Sequence, residues 1–177
     1  TGAAQPSMLI NAMTARADEL VDVEIIQLVT MGNPPYVKKE LSNSFKVNSF
    51  YISEESIRAS ISEGLGNYTP INVSDIPRLF KNGQIPLDVC LIQVSPPDER
   101  GMCSMGVSVD VAKSAVESSK MVIAQVNPRM PRTLGDSLIN IYELDMLVNG
   151  DEPLLETTKM EIDEHENAVR KIIYRKL

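Results

Sequence analysis

Histidine and cysteine are scarce in this sequence, which contains one histidine and two cysteines among its 177 residues. Two cysteines are too few for a disulfide scaffold, and a single histidine leaves no ligand cluster with ordinary metal-site spacing. We therefore expect no metal site. Cys90 lies within an apolar run, which is typical of a small core residue. A catalytic pair of cysteine and histidine is disfavoured, because His165 falls in a strongly charged helical stretch.

Long apolar runs and an excess of basic residues are also missing. No run approaches the roughly 20 residues that a membrane helix needs, so we expect no membrane partner. The net charge of −7 argues against a nucleic-acid partner, whose phosphates require a basic face, but an anionic cofactor needs only a local positive patch. The composition, 43% hydrophobic and 23% charged, indicates one soluble globular domain. Nothing resembles a signal peptide, and we expect a cytoplasmic protein.

The common signatures of nucleotide binding and serine catalysis are absent. The sequence has no P-loop and no G-x-G-x-x-G, and residues 106–110 (GVSVD) do not form the G-x-S-x-G elbow. Acidic residues do lie near the expected ligand loops. A buried carboxylate there can act as an acid, a base or a nucleophile, whereas most such residues cap turns or face water. These residues are Asp88, Asp98, Glu99, Asp110 and Asp136.

The most informative stretch covers residues 88–110, DVCLIQVSPPDERGMCSMGVSVD. Residues 89–94 form an apolar run with the length and β-branched content of a buried strand. Ser95-Pro96-Pro97-Asp98 breaks this strand, and small residues follow before an extended piece at 107–109. A buried strand that leads into such a loop is typical of a ligand loop at the carboxyl end of an α/β sheet.

Helices and strands alternate along the rest of the chain. Apolar periodicity predicts helices at 8–20, 54–64, 75–81 and 112–119, with Ser53 and Ser74 as caps of the middle two. Strands are predicted at 23–31, 45–53, 120–126 and 139–148, with an extended piece at 68–73. This alternation implies crossover connections. We therefore expect an α/β fold with a mostly parallel sheet and helices on both faces.

Two further loops could hold an anion at the ligand edge of the sheet. The glycine loop, residues 2–6, precedes the first helix, whose free N–H groups could receive an anion, but the loop fits a simple turn equally well. Arg129 and Arg132 lie in the loop 127–137. They could neutralise a carboxylate or phosphate, although surface arginines are usually just solvated.

The residue patterns at both ends are typical of interior segments of a longer protein. Residues 1–6 resemble the middle of a loop, 154–161 a linker, and 162–177 a helix without a cap. We expect one domain at 1–153 with a truncated start. Residues 154–177 would then form a linker and the start of a helix that leads to a second half.

Four stretches resemble the amino-terminal half of the acetyl-CoA hydrolase/transferase family, and within it the 4-hydroxybutyrate CoA-transferases. They are 94–110 (VSPPDERGMCSMGVSVD), 124–137 (AQVNPRMPRTLGDS), 74–80 (SDIPRLF) and 151–156 (DEPLLE). The similarity covers nearly the whole chain in the family's order, and the pattern SPPD-x-x-G-x-C-S-x-G-x-S is specific. The resemblance implies one α/β half of a CoA-transferase.

The resemblance also implies a mechanism. Enzymes of this family consist of two similar α/β halves, and a glutamate attacks the acyl-CoA, passes through an anhydride to a glutamyl-CoA thioester, and transfers CoA to an acceptor carboxylate. That glutamate belongs to the second half, so we expect no catalytic residue in this chain. Coenzyme A enters as acyl-CoA substrate, and we expect no permanently bound cofactor.

The resemblance to the family implies that this half forms one wall of the active site. Gln5 and Ser104 would hydrogen-bond the acceptor carboxylate, and Pro96 and Pro97 would fix the shape of their loop at low entropic cost. Ala3-Ala4 is less polar than the family's usual sequence, which leaves substrate choice open. The substrate-binding candidates are Gly2, Gln5, Pro6, Ser95, Pro96, Pro97, Asp98, Gly101, Cys103, Ser104 and Gly106.

Two alternatives accompany this hypothesis. The chain could be a noncatalytic binding or assembly domain or one subunit of a split enzyme, or it could belong to an acetyl-CoA hydrolase in which water is the final acceptor. We expect the partners to be acyl-CoA, small carboxylates and the second half of the same enzyme, and we expect a homo-oligomer. The chain alone should be inactive. It should also self-associate, because a two-half enzyme covers an apolar face that the separate half exposes.

Overall fold

The computed structural model describes residues 2–32 and 34–156, which form two parallel sheets and one antiparallel strand pair. His165 and the expected helix at 162–177 lie outside the described residues, as does most of the expected linker. None of the helices in the described ranges is long and apolar enough to cross a membrane.

The first sheet consists of β1 (Val23–Gln27), β2 (Phe45–Ser49) and β3 (Gly66–Tyr68) in the order β1-β2-β3, all parallel. Helices α1 (Ser7–Thr14) and α2 (Glu55–Ser62) supply apolar side chains to its core. Ile57 of α2 is fully buried in a cluster with Phe45 and Val47, which alternate along β2 onto one face.

The second sheet consists of β4 (Leu87–Val94), β6 (Ser119–Val126) and β8 (Met146–Asn149) in the order β4-β6-β8, again parallel. The register places Val94 opposite Val126, and Val126 opposite Asn149, so the three carboxyl ends lie side by side. Buried side chains of β4 and β6 pack with Val116 of α4 (Ala112–Ser118) on one face.

Two smaller features pack beside these sheets. Strand β5 (Met102–Ser104) pairs antiparallel with β7 (Leu138–Asn140) and joins the core of the second sheet. Helix α3 (Ile76–Lys81) packs against α4, and its residue Ile76 belongs to a cluster that includes side chains of both sheets. The expected mixed α/β fold with mostly parallel pairing is therefore confirmed, although the strands form two sheets and a pair.

Several predicted elements are shorter than expected. The first helix ends at Thr14, and only a 3-10 turn (Ala17–Glu19) continues it. Thr14 Oγ1 donates to the carbonyl oxygens of Ile10 and Asn11, both at 3.0 Å, and such local bonds compete with helix propagation. Strands β1 and β2 likewise end four residues before the predicted boundaries at 31 and 53.

The predicted strand at 139–148 is wrong as a single element. Strands β7 and β8 replace it, separated by a 3-10 turn (Ile141–Glu143). Asn140 caps this turn: its side chain accepts the N–H of Tyr142, and Glu143 accepts the N–H of Asn140, both at 3.1 Å. This reciprocal capping box turns the chain out of the strand.

Other local predictions also need correction. The extended piece at 107–109 contains no strand, since β5 forms earlier, and the piece at 68–73 is replaced by β3. The caps of α2 and α3 are Glu54 and Asp75, with no side-chain cap bond in either case. Ser53 instead donates its hydroxyl to the carbonyl of Thr30 at 2.7 Å.

Candidate functional site

Loops from three parallel strands meet at the carboxyl edge of the second sheet. The SPPD loop (residues 95–101) follows β4, the loop 127–137 follows β6, and residues 150–156 follow β8. Between them lies an open depression of about 540 Å³. Its lining is largely apolar and consists of Pro96, Pro97, Val126, Pro128, Asn149, Gly150 and Asp151.

Asp98 organises the SPPD loop. Its Oδ1 accepts the backbone N–H groups of Met102 at 2.9 Å and Arg100 at 3.0 Å, and its Oδ2 accepts Arg132 Nη2–H at 3.0 Å. The hydrogen bond from Met102, together with that from Arg100 and the positive charge of Arg132, lowers the pKa of the Asp98 carboxyl below its ordinary value against a smaller opposing effect of desolvation. The carboxylate is thus ionised and engaged within its own loop.

The two arginines considered as anion contacts both have acidic partners. Arg132 pairs with Asp98 and also donates Nη1–H to the carbonyls of Met102 at 2.9 Å and Pro96 at 3.3 Å. Arg129 Nε lies 2.6 Å from Asp151 Oδ1. In the structure these side chains connect neighbouring loops.

Ser95 and Ser104 hold the SPPD loop against β5. Ser95 donates its N–H to the Ser104 carbonyl at 2.8 Å, and Ser95 Oγ accepts the Ser104 N–H at 2.9 Å. Ser104 Oγ accepts the N–H groups of Gly106 and Thr133, both at 3.1 Å. Both serines are buried, so the Ser104 hydroxyl lies inside the loop network and its contact with a carboxylate stays a prediction.

Gly106 allows the chain after β5 to touch the loop 127–137. Its φ is +64°, and a Cβ on it would lie 2.0 Å from Met130 Sδ and 3.1 Å from the Pro131 carbonyl. A side chain therefore does not fit there. Gly101, also among the candidates, closes the SPPD turn by donating its N–H to the Asp98 carbonyl at 2.9 Å.

Cys103 lies in the hydrophobic core, away from the lining of the depression. It is fully buried with Ile92 and Ile139, and burial raises the pKa of its thiol. The other thiol, Cys90, is packed against the same cluster, and burial raises its pKa to about 11. Neither cysteine carries the activation that a nucleophilic thiolate needs.

The glycine loop lies between the carboxyl ends of the two sheets. Gly2 donates its N–H to Val29 at 2.9 Å and forms a parallel bridge with Thr30 beyond β1. On its other side the Gln5 carbonyl accepts Gln93 Nε2–H of β4 at 3.2 Å. Pro6 is buried at the start of α1. The structure thus brings the glycine loop and the SPPD loop to one region.

Three buried amide side chains at this edge were not predicted from the sequence. Gln93 Oε1 accepts Gln125 Nε2–H at 3.0 Å and Asn127 Nδ2–H at 2.9 Å. Gln93 and Gln125 lie opposite each other in the register of β4 and β6. A signal was available: both apolar runs end in the dipeptide Gln-Val, before Ser-Pro in one case and Asn-Pro in the other.

This amide network reaches the glycine loop, the start of α1, the loop 127–137 and residues 150–156. Gln125 Oε1 accepts the Met8 N–H at 3.1 Å, and Gln125 Nε2 also donates to Glu152 Oε2 at 3.2 Å. Asn127 donates to the Glu152 carbonyl at 2.8 Å and accepts the Arg129 N–H at 3.0 Å. Because Gln125 occupies the Met8 N–H, one of the N–H groups that could serve an anion at the start of α1 is already used.

The sequence and fold of the chain are matched by known proteins. The family model described as "Acetyl-CoA hydrolase/transferase N-terminal domain" matches residues 1–156. The chain belongs to this family. The resemblance of the SPPD loop is thereby confirmed, and this chain is similar to the amino-terminal domain of CoA-transferases.

Named relatives of this family are CoA-transferases. The 4-hydroxybutyrate coenzyme A transferase of Clostridium kluyveri is 41% identical over 165 residues, which cover 93% of this chain and 38% of that protein. The succinyl-CoA:acetate/propanoyl-CoA:succinate CoA transferase of Fasciola hepatica is 35% identical over 99% of this chain and 37% of its own length. The chain thus spans less than two-fifths of these relatives.

Solved structures agree with this family assignment. The 4-hydroxybutyrate CoA-transferase of Porphyromonas gingivalis superimposes with a TM-score of 0.73 at 30% identity, over 89% of this chain and 35% of that one. RipA of Yersinia pestis superimposes with a TM-score of 0.87 at 29% identity, over 98% of this chain and 42% of that one.

Proposed function

We propose that this chain is the amino-terminal part of a cytoplasmic CoA-transferase that exchanges CoA between a short-chain acyl-CoA, such as 4-hydroxybutyryl-CoA or acetyl-CoA, and a carboxylate acceptor. The family match over residues 1–156 carries the proposal. Relatives with the activities named above support it, and so does the convergence of the SPPD and glycine loops at one sheet edge.

The proposed reaction needs a nucleophile that this chain does not supply. A glutamate carboxylate in the second half would attack the thioester carbonyl, break the C–S bond and release CoA thiolate. The thiolate would then attack the glutamyl carbonyl of the mixed anhydride and expel the acyl group as a carboxylate. The acceptor carboxylate reverses these steps on the glutamyl-CoA thioester, so each bond broken is matched by one formed.

This half contributes shape and hydrogen bonding to that reaction. The apolar depression behind Pro96 and Pro97 suits an acyl chain or the apolar part of CoA. Gln5 is half-buried on the glycine loop, and its side-chain amide would donate to the acceptor carboxylate. Asp98 holds the SPPD loop that forms the wall, and the buried hydroxyl of Ser104 holds Gly106 and Thr133 beside it.

The test is a product assay on the full-length protein that contains this chain. Acyl-CoA is supplied with a labelled acceptor such as acetate, and CoA thioesters and free CoA are separated by mass. Label in a new thioester supports the proposal. Free CoA without transfer identifies a hydrolase, and turnover of neither kind favours a binding or assembly domain. The 177-residue chain is the matched control, and we expect it to be inactive.

A further inference from the structure

Gln93 occupies a position in β4 where an apolar residue would be expected. The run LIQV is otherwise apolar, and the Gln93 side chain is only 5% exposed. A buried amide is tolerated where its polar atoms are paired, and an unpaired one is costly. The partners of Gln93 therefore indicate why an amide is present there.

The hydrogen bonds of Gln93 define the orientation of its amide. Its Oε1 accepts from Gln125 and Asn127, each of which uses its other N–H on Glu152. Since both neighbours are donors, the oxygen of Gln93 must face them and its Nε2 must face the glycine loop. There it donates to the Gln5 carbonyl at 3.2 Å. Of these bonds, this one alone connects Gln93 to the glycine loop.

A comparable glutamine in the first sheet has a different set of partners. Gln27 ends β1 and is 6% exposed. Its Nε2 donates to Ser49 Oγ at 3.2 Å, and its Oε1 accepts the hydroxyls of Thr30 and Tyr36. None of these bonds goes to residues 5–8. The contrast makes Gln27 a matched reference of equal burial and equal chemistry.

We infer that Gln93 is a positioning residue: it fixes the Gln5 carbonyl, and with it the glycine loop, against the end of β4 that leads into the SPPD loop, for binding of the acceptor carboxylate. The inference rests on the proposed function. The direction of one N–H decides the position of the loop, since a carbonyl in place of that N–H would face the Gln5 carbonyl with two lone pairs. Gln125 supports the same segment through the Met8 N–H.

The variant Gln93→Glu separates this role from packing. Its carboxylate still accepts from Gln125 and Asn127, but it repels the Gln5 carbonyl. When protonated, the introduced carboxyl can donate to that carbonyl and restore the bond. Burial and the neighbouring Glu152 carboxylate should raise the pKa of this introduced carboxyl, whereas the two amide donors should lower it. The nearby Arg129 guanidinium is already paired with Asp151.

The experiment measures kcat/KM for the acceptor carboxylate in the full-length protein between pH 5.5 and 8.5. For Gln93→Glu we expect kcat/KM to fall roughly 10- to 100-fold at high pH, the effect typical of residues that orient a binding group through a second residue. At low pH we expect kcat/KM to recover. Gln27→Glu should follow the wild-type profile. A Gln93→Glu profile parallel to that of the wild type overturns the inference while the proposed function stands.

Failure of the proposed function is distinguished by hydrogen exchange. If the wild-type protein transfers no CoA, the proposed function fails, and amide exchange at residues 2–8 of the full-length protein then tests the positioning itself. Exchange at these residues that is faster in Gln93→Glu than in the wild type at high pH, but not at low pH, supports the positioning role. Exchange equal to that of the wild type at both pH values overturns it. If Gln93→Glu does not fold, Gln93→Met replaces it, and we expect this variant to show both the loss in kcat/KM and the faster exchange at every pH. A Gln93→Met protein with neither effect overturns the inference.

Discussion

Asp98 accepts two backbone N–H groups and one guanidinium N–H, and each of these bonds favours its ionised form. Because its pKa is lowered in the folded protein, its ionisation stabilises the fold above the ordinary Asp pKa of about 3.9, and this contribution is lost as the pH falls through the lower folded value. We predict that Asp98→Asn lowers the melting temperature at pH 7 and that the difference from wild type narrows below pH 4.

Thermal melts from pH 2 to 7 check this prediction. Asp88→Asn is the control, because Asp88 is a surface residue, 76% exposed, whose partner Lys120 is equally exposed. Ion pairs of that kind contribute little to stability. A melting-temperature difference for Asp98→Asn that does not depend on pH would contradict the argument.

Gly106 and Gly83 share a backbone conformation but differ in their surroundings. Their φ values are +64° and +66°, whereas a Cβ on Gly106 would meet Met130 Sδ at 2.0 Å and one on Gly83 would meet nothing within 4 Å. We predict that Gly83→Ala costs about 1 kcal/mol through backbone strain alone. Gly106→Ala should cost about 2–4 kcal/mol, because the overlap with Met130 adds to the strain. Denaturant unfolding measures both, and equal losses would refute the role of the contact.

At the scale of elements, the capping box at Asn140 divides β7 from β8. Asn72 also precedes a 3-10 turn, Val73–Asp75, but its side chain makes no cap bond. We predict that Asn140→Ala destabilises the protein by about 1 kcal/mol, the usual effect of losing such a cap, and that Asn72→Ala has a smaller effect. Chemical denaturation compares the two. A larger loss from Asn72→Ala would contradict the assignment.

The elements that the sequence predicts well are those with their own local signal. Strands β4 and β6 are largely apolar runs that end at proline-containing loops, and α4 has a clear apolar period. Strands β5 and β7 have only three residues each, so no periodicity marks them. They form because distant segments pair, with Cys103 opposite Ile139.

The candidate site likewise has a part that the sequence predicts and a part that it does not. The SPPD loop was predicted because prolines and glycines signal a turn after a strand. The inward direction of Ser104 depends on the alternation along β5, which the sequence does not reveal. The amide network needs the register of β4 and β6 to bring Gln93 and Gln125 together, and the sequence shows only that both runs end in Gln-Val.

At the scale of the molecule, the two faces of the second sheet differ. One face forms the core with α4, whereas the other carries a patch of exposed apolar residues. The register places Val89 beside Met121, Met146 beside Ile123, and Val148 beside the buried Gln125. The apolar side chains among these residues therefore share that face. Val89 and Met146 are each about half exposed, at 50% and 51%.

We expect this patch to make the 177-residue chain prone to self-association. Apolar surface of this kind in proteins commonly marks an interaction site, and the second half of the proposed enzyme is what we expect to cover it. We predict that the separate chain dimerises or aggregates and that Met146→Lys combined with Val148→Lys raises the dissociation constant at least about 10-fold, since two charges would have to be desolvated in the contact. Leu134→Lys is the control: Leu134 is 95% exposed but lies in the loop 127–137, away from the patch.

Sedimentation velocity over a concentration series measures self-association of the wild-type chain, the double variant and Leu134→Lys. A wild-type chain that stays monomeric at high concentration would contradict the prediction, and equal weakening by Leu134→Lys would place the contact elsewhere.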